Sequence, residues 1–205
     1  PKVPVADMAG AMGELIEAGK IASYGVSEWS AAHIREAHAV TPMAAVQTEY
    51  SPWTRNPEIA VLDTCAELDI AFVAFSPVGR GVLANGVGDP QALAERDIRR
   101  TMPRFHAQNW PRNRALVDEF VTIAGQAGVT PAQLSLAWVL SRGNHVVAIP
   151  GTANPAHLEE NIARATWKPE PALLDRIDAL INHGTVAGPR YSAGLQRTID
   201  TEEFG

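Results

Sequence analysis

The chain has 205 residues, of which 46% are hydrophobic and 20% charged, so it can bury a sizeable core and is not a disordered tail. Its 17 Lys and Arg against 23 Asp and Glu leave a net charge of −6, which argues against nucleic acid or an anionic membrane surface as a partner. A single cysteine excludes a disulfide framework and multi-cysteine zinc sites, and it indicates a reducing compartment, most simply the cytoplasm. No apolar run approaches the roughly 18 residues of a membrane span, and the six histidines show no metal-binding spacing, so we predict neither a span nor a metal site.

The first 50 residues alternate between helical and extended patterns. Apolar residues at helical spacing predict a first helix that Asp7 caps and Gly19 ends. A strand over 21–26, a helix over 31–39 and a strand over 44–50 follow.

The next segment begins with Asn56 as the cap of a predicted helix over 58–68 and continues into an apolar strand over 70–75. Residues 77–111 then break the rhythm with many Gly and Pro, although a short helix near 91–98 fits the pattern. An irregular segment of this length in a compact domain is usually functional or disordered.

Helical and strand patterns resume after residue 112, and residues 184–205 show no clear period and resemble a tail. The order predicts an α/β fold with four parallel strands and right-handed crossovers, formed by one folding unit over 1–205. The predicted elements of this part are helices over 113–127 and 131–140, a strand over 146–149, and helices over 155–162 and 171–181.

Two loops have the composition of anion sites. Residues 79–84 match G-x-G-x-x-A after a strand, but Gly and Pro in 85–90 prevent the helix that a Rossmann fingerprint needs, and a glycine-rich loop with its N–H groups facing an anion is the interpretation that survives. Residues 149–155 lead from a strand into a helix N-terminus, which suits a phosphate and equally fits an ordinary capped helix.

Polar and aromatic residues end three successive predicted strands. In parallel α/β folds ligands bind at the carboxyl ends of strands, so these positions are candidate binding residues. They are Ser27 and Glu28, then Gln47 with Glu49 and Tyr50, and then Phe75 and Ser76.

Taken in order, five strings resemble the C-terminal part of an aldo-keto reductase. This resemblance implies a (β/α)8 TIM-barrel type fold, of which the chain supplies about the C-terminal half, and an extended nicotinamide cofactor. Residues 1–4 resemble the family's segment after the fourth strand. The five strings are residues 19–28, residues 46–51, residues 75–81, residues 99–105 (a version of the family's RRxxPRF), and residues 149–152 together with 158–161.

The resemblance also assigns roles along the expected cofactor. Trp53 and Trp110 are expected to shape a substrate pocket, and the loop 77–111 to clasp the cofactor. The cofactor residues are Ser27, Glu28 and Gln47 for the carboxamide, Phe75 for the nicotinamide ring, Ser76, Pro77, Val78, Gly79, Arg80 and Gly81 for the pyrophosphate, Gly151, Thr152 and His157 near the 2′-phosphate, and Glu160 and Asn161 near adenine.

NADP(H) is the expected cofactor, and NAD(H) stays open. Glu28 stands where many members have Asn, and a carboxylate accepts from an amide NH2 but cannot donate to its carbonyl. Gly151 and His157 stand where some members have Lys and Arg, and only Arg clamps phosphate through two parallel hydrogen bonds.

The resemblance implies NADP(H)-dependent reduction of aldehydes or ketones by hydride transfer. The family's catalytic Asp, Tyr, Lys and His come from the first four strands, so we assign no catalytic residue here. Two alternatives stay open: a nicotinamide-binding module or subunit without turnover, and a barrel enzyme that holds a phosphorylated substrate in loops 79–81 and 151–154. Because four strands leave two open edges and an apolar inner face, we also expect a missing half-barrel or a covering partner.

Overall fold

The computed structural model describes residues 3–205, so Pro1 and Lys2 of the segment 1–4 lie outside the described residues. The predicted parallel sheet is confirmed, and its four strands lie side by side in chain order. The strands are β1 (Gly25–Ser27), β2 (Ala45–Glu49), β3 (Ala71–Phe75) and β4 (Val146–Ile149).

Helices connect the strands and follow the last one. Within residues 3–205, no helix combines the length and the apolar composition needed to cross a bilayer. The helices are α1 (Val5–Glu17), α2 (Ala31–Val40), α3 (Val61–Glu67), α4 (Trp110–Gln126), α5 (Pro131–Leu140), α6 (Pro155–Ala163), α7 (Pro171–Leu180) and α8 (Ala193–Gln196).

The start of the chain differs from the prediction in two places. Helix α1 begins at Val5 after Pro4, and Asp7 lies inside the first turn instead of capping it. A carboxylate in the first turn still interacts favourably with the positive end of the helix dipole. Asp7 therefore marks the start of the helix, but the helix begins two residues before it. Strand β1 has three residues instead of six, and these three pair in register with β2.

Tight turns replace one other predicted helix completely and another in part. The helix over 58–68 splits into a 3-10 turn at Asn56–Glu58 and α3, because Arg55 Nε and Tyr50 Oη both donate to Glu58 Oε1, at 2.6 and 2.7 Å, and hold the turn. The short helix near 91–98 is absent: two 3-10 turns, Pro90–Ala92 and Ile98–Thr101, form there, and an Asp side chain caps each.

The predicted tail over 184–205 contains α8 and several buried side chains. Its carboxylates cap α2 from a distance: Asp200 Oδ2 accepts from the Ser30 N–H at 2.9 Å, and Glu202 Oε1 accepts from the Ala31 N–H at 2.8 Å. Free N–H groups at a helix start need such partners, so residues far apart in sequence complete α2.

Alternation along the strands divides the sheet into two faces. Val46, Phe72 and Ala74 are fully buried on the face that packs against helices. The opposite face carries Gln47, which is exposed and is paired in register with Ser27 on one side and Val73 on the other. In a barrel, inward-pointing residues of neighbouring strands form layers. The row of Ser27, Gln47 and Val73 is such a layer, so this second face corresponds to the interior of a barrel.

The core on the helix side is built around aromatic side chains. Phe72 contacts Tyr50 edge-on with ring centroids 5.7 Å apart, and Tyr50 packs against Trp138 of α5 at 5.3 Å. All three side chains are fully buried, so truncating one leaves a cavity that the close-packed neighbours cannot fill.

We therefore predict that Phe72→Ala lowers the free energy of unfolding by about 3–5 kcal/mol, measured by urea denaturation. Val40→Ala, at the exposed end of α2, serves as the control and should change it by less than about 0.5 kcal/mol. Equal losses in the two variants would contradict this description of the core.

Candidate functional site

A cavity of about 590 Å³ lies at the carboxyl ends of β3 and β4, between the loops that follow them. The cavity brings together predicted cofactor residues from two segments of the chain. The first segment reaches residue 81 and the second starts at residue 151, so they are more than 60 positions apart in the sequence. The predicted residues that line it are Phe75, Ser76, Pro77, Val78, Arg80, Gly81, Gly151, Thr152, His157, Glu160 and Asn161, and the others are Ala84, Gly86, Ala132, Ile149 and Pro150.

The glycine loop after β3 (residues 76–86) has an unusual backbone. Gly79, Arg80 and Gly81 are three consecutive residues with positive φ, at 58°, 57° and 87°, and Ser76 has φ 49°. Space also favours glycine at 79, since a Cβ there would lie 3.2 Å from Trp53 Cβ and the neighbouring side chain would have to shift by a few tenths of an ångström. Such a backbone is strained at non-glycine positions and persists only when its surroundings hold it in place.

Two side-chain hydrogen bonds hold the backbone of the glycine loop. Ser135 Oγ of α5 donates to the Pro77 carbonyl at 2.7 Å, and Arg99 Nη1 donates to the Arg80 carbonyl at 3.1 Å. Arg99 is itself fixed by an ion pair with Asp97 at 2.6 Å, and its hydrogen bonds lower the pKa of Asp97 to about 2. The segment after residue 90 therefore braces the loop from outside.

The second loop leads from β4 into α6. Asn154 caps α6 as predicted, since its Oδ1 accepts from the Ala156 N–H at 3.0 Å. Glu160 accepts from Thr130 Oγ1 at 2.5 Å, and this contact ties α6 to the capping box that begins α5. The two helices together fix the wall of the cavity that carries Asn161.

The three residues predicted for the carboxamide lie apart from this cavity's lining. Ser27 and Gln47 are exposed, paired neighbours on the inner face of the sheet. Glu28 has φ 58° and a buried carboxylate whose oxygens accept from Arg190, at 2.5 and 2.8 Å, and from Thr201 Oγ1 at 2.9 Å. Its side chain is thus engaged within the protein.

Glu28 belongs to a set of charged and hydroxyl groups that we call the ionic cluster: Glu28, Glu49, Arg190 and Tyr191, which are buried, and Arg80, which is half-buried. Arg80 Nη2 donates to Glu49 Oε2 at 2.6 Å and to Tyr191 Oη at 2.7 Å. Tyr191 Oη donates to Glu49 Oε2 at 2.9 Å, and Arg190 Nη2 lies 3.3 Å from the same oxygen. Both guanidinium groups lie within 6 Å of the Phe75 ring, so the cluster borders the cavity.

Sequence reasoning did not assign Arg190 and Tyr191 to the site because they fall in an aperiodic segment. The sequence did carry a signal at the two carboxylates that these residues contact. Glu28 follows an apolar strand and Glu49 ends one, and a carboxylate buried at such a position requires a cation. This requirement predicts that each carboxylate has a cationic partner, but it does not identify that partner among the chain's 17 Lys and Arg.

The two tryptophans predicted for a substrate pocket lie outside the lining of the 590 Å³ cavity. Trp53 is buried beneath the glycine loop and borders a separate cavity of about 160 Å³ together with Arg104 and Arg190. Trp110 stacks on Phe105 with centroids 5.6 Å apart, and its Nε1 donates to the Gly88 carbonyl at 3.0 Å. In this structure both side chains fix loops, and their contact with a substrate stays a prediction.

The ionic cluster predicts a pH dependence of stability. Burial alone would raise the pKa of Glu49, but Arg190, Arg80 and Tyr191 outweigh it and hold the pKa below the usual 4.5. A lowered folded-state pKa adds stability above the unfolded value, which is lost as the pH falls below about 4.5 towards the folded value.

We therefore expect the free energy of unfolding of the wild type to decline more steeply below about pH 4.5 than that of Glu49→Gln, measured by urea denaturation at a series of pH values. Glu17→Gln, on the exposed side of α1, should keep the wild-type slope. A Glu49→Gln slope equal to that of the wild type would show that this carboxyl is not stabilised as described.

Comparisons with known proteins agree with these observations. A family model described as the aldo/keto reductase family matches residues 1–182. Aldo-keto reductase str7 of Strobilurus tenacellus is 38% identical over 207 residues, which covers 100% of this chain and 62% of that protein. Aldo-keto reductase yakc of Schizosaccharomyces pombe, whose name specifies NADP(+), is 40% identical over 201 residues, which covers 97% of this chain and 59% of that protein.

Solved structures show the same fold. The glycerol dehydrogenase of Gluconobacter oxydans superimposes with a TM-score of 0.82 at 23% identity, over 100% of this chain and 59% of that one. A thermostable aldo-keto reductase solved with the inhibitor epalrestat superimposes with a TM-score of 0.64 at 27% identity, over 88% of this chain and 56% of that one. The chain thus spans about three fifths of the length of the curated relatives it matches, and its sheet corresponds to part of a (β/α)8 barrel.

Proposed function

Because the chain belongs to the aldo/keto reductase family, we propose that it forms the cofactor-binding part of an NADP(H)-dependent enzyme that reduces aldehydes or ketones to alcohols. The observation that carries this proposal is the 590 Å³ cavity, in which the loops after β3 and β4 meet. A cavity at the carboxyl ends of parallel strands is where barrel enzymes hold their ligands.

The residues around the cavity fit a dinucleotide. The glycine loop lines the cavity with the Arg80 guanidinium, which suits a pyrophosphate, whereas the N–H groups of Gly79 and Gly81 already donate to the Ser76 and Val78 carbonyls. Phe75 offers a flat apolar face for a nicotinamide ring, and the exposed amide and hydroxyl of Gln47 and Ser27 can pair with its carboxamide. Apart from Gly151 itself and its two chain neighbours, no residue has an atom within 4 Å of where a Cβ of Gly151 would be, so the second loop leaves room for a ligand.

The bound cofactor would supply the hydride for the carbonyl carbon. This chain's residues would bind and orient it: the Phe75 ring against one face of the nicotinamide, the glycine loop around the phosphates, and Asn161 at the adenosine end. Glu28 would act at a distance, since its carboxylate is paired with Arg190 and fixes the end of β1 beside Ser27.

The adenosine end bears on the choice between NADP(H) and NAD(H). Of the described residues that line the cavity, Arg80 is the only Lys or Arg, and His157 is the candidate on α6 for the 2′-phosphate. The name of the S. pombe relative, which specifies NADP(+), favours NADP(H) for this chain as well. The cytoplasm, a reducing compartment, is the location we propose with it.

A carbonyl reduction also needs a proton donor, and we assign none in this chain. The alternative function is therefore a nicotinamide-binding module or subunit without turnover. Consumption of NADPH that depends on an added aldehyde, measured with the remaining strands of the barrel present, distinguishes the two: binding without such consumption supports the module.

To test the cofactor site, NADPH and NADH are titrated into the chain and binding is followed by the change in their fluorescence. We expect saturable binding, tighter for NADPH, and a loss of roughly tenfold or more in Arg80→Met, since a charge-assisted hydrogen bond contributes about 1.5–3 kcal/mol.

Arg35→Met, which removes a surface ion pair of α2 with Glu67, is the matched control and should bind like the wild type. Circular dichroism confirms that each variant is folded. Absence of saturable binding to the folded wild type, or equal affinities in the two variants, would refute the proposed site.

We also propose that the remaining strands of the barrel cover the open edge of β4. Val147 is 48% and Ile149 42% exposed, and both border an apolar groove of about 580 Å³ that Leu158 and Ile162 of α6 also line. The relatives carry additional sequence beyond the matched part, which is the polypeptide that a complete barrel would place here.

On this basis the chain alone should self-associate through the uncovered edge, and Val147→Lys should reduce self-association, measured by analytical ultracentrifugation. Val40→Lys, at an equally exposed position on α2, is the control and should leave it unchanged. A wild-type chain that stays monomeric at high concentration would contradict an edge that needs covering.

A further inference from the structure

The C-terminal segment (residues 188–202) is anchored by residues that lie outside the lining of the cavity. Asp200 Oδ2 accepts from the backbone and the hydroxyl of Ser30 at 2.9 and 2.5 Å, and it also contacts His33 Nδ1 at 2.6 Å. Asn56 Nδ2 donates to the Glu202 carbonyl at 2.8 Å. These contacts fix the segment against α2 and the loop after β2.

From that anchor the segment places Tyr191 between two guanidinium groups. The Tyr191 hydroxyl donates its single hydrogen to Glu49 and accepts from Arg80 at 2.7 Å and from Arg190 at 3.1 Å. A hydroxyl has one hydrogen and two lone pairs, so these three contacts use its full capacity. Its position and the direction of the Arg80 side chain therefore determine each other.

Arg80 connects this hydroxyl to the cavity. Its backbone is left-handed between two glycines that are also left-handed, while its guanidinium is tethered at two points, Glu49 and Tyr191. Removing one tether leaves the guanidinium free to rotate about the other. A ligand that binds the guanidinium must then order this side chain, and the entropy lost in doing so weakens the binding.

We infer that Tyr191 is a positioning residue for the glycine loop: it orients Arg80, and through it the C-terminal segment sets the affinity of the cavity for the diphosphate of a nucleotide. The inference rests on the proposed function, since that function assigns the cavity to a dinucleotide. Glu49 supplies the negative charge that pairs with Arg80, and Tyr191 sets the direction in which the Arg80 guanidinium points.

The test compares Tyr191→Phe with Tyr24→Phe. Tyr24 is the matched control because its hydroxyl is also engaged, donating to the Thr41 carbonyl at 2.7 Å, and it does not line the cavity. Affinities for ADP and for adenosine are measured by calorimetry. Hydrogen exchange of the amides in 79–86 is measured without ligand, because backbone bonds such as the one from the Gly86 N–H to the Gly81 carbonyl report on the loop itself.

Tyr191→Phe should bind ADP about five- to tenfold more weakly and adenosine unchanged, and its amides in 79–86 should exchange faster, whereas Tyr24→Phe should match the wild type in all three. Unchanged exchange in 79–86, or equal weakening of ADP and adenosine, would overturn the inference. If the folded wild type fails to bind ADP, the proposed function fails, and the exchange measurement alone still decides whether Tyr191 holds the loop.

Discussion

Two carboxylates are buried beside the ends of neighbouring strands, and the arrangement of the site follows from their need for cations. Glu28 and Glu49 are only 9% and 1% exposed. Leaving a buried charge without its partner typically costs about 3–5 kcal/mol, so Arg190 and Arg80 must come to them. Arg190 brings the C-terminal segment over the sheet, and Arg80 brings the glycine loop, so one electrostatic requirement fixes both segments.

The parallel sheet supplies the frame on which this requirement acts. Because Glu49, Phe75 and Ile149 are paired in register, the segments that follow β2, β3 and β4 leave the sheet at one level. Loops that leave at one level converge, which is why two stretches distant in sequence line a single cavity. Among the described residues, three of the five non-glycine positions with positive φ, Glu28, Ser76 and Arg80, lie in segments that follow β1 and β3. Strain of this kind requires support from the surroundings, and the ionic cluster and Arg99 provide it.

The predictions from sequence succeeded where a local signal was complete. Strand β4 matches its predicted bounds, and α5 begins at Pro131 after Thr130 as its capping residues indicated. They failed where a side-chain contact from outside the predicted element overruled its local preference. The segment after Asn56 turns instead of continuing as a helix because Tyr50 and Arg55 hold Glu58, and the paired side chains come from outside the predicted helix.

The sequence by itself determined the alternation of strands and helices, the polar character of the strand ends and the two loops with glycine and capping residues, because these depend on neighbours a few positions apart. Its motifs also carried the resemblance to the aldo-keto reductases. Only the tertiary structure decided that Arg190 pairs with Glu28 across 162 positions, that Tyr191 reaches Arg80, and that Trp53 and Trp110 pack under loops. Pairings of this kind leave no period in the sequence, since many cations could satisfy a buried carboxylate and only the folded path of the chain selects one.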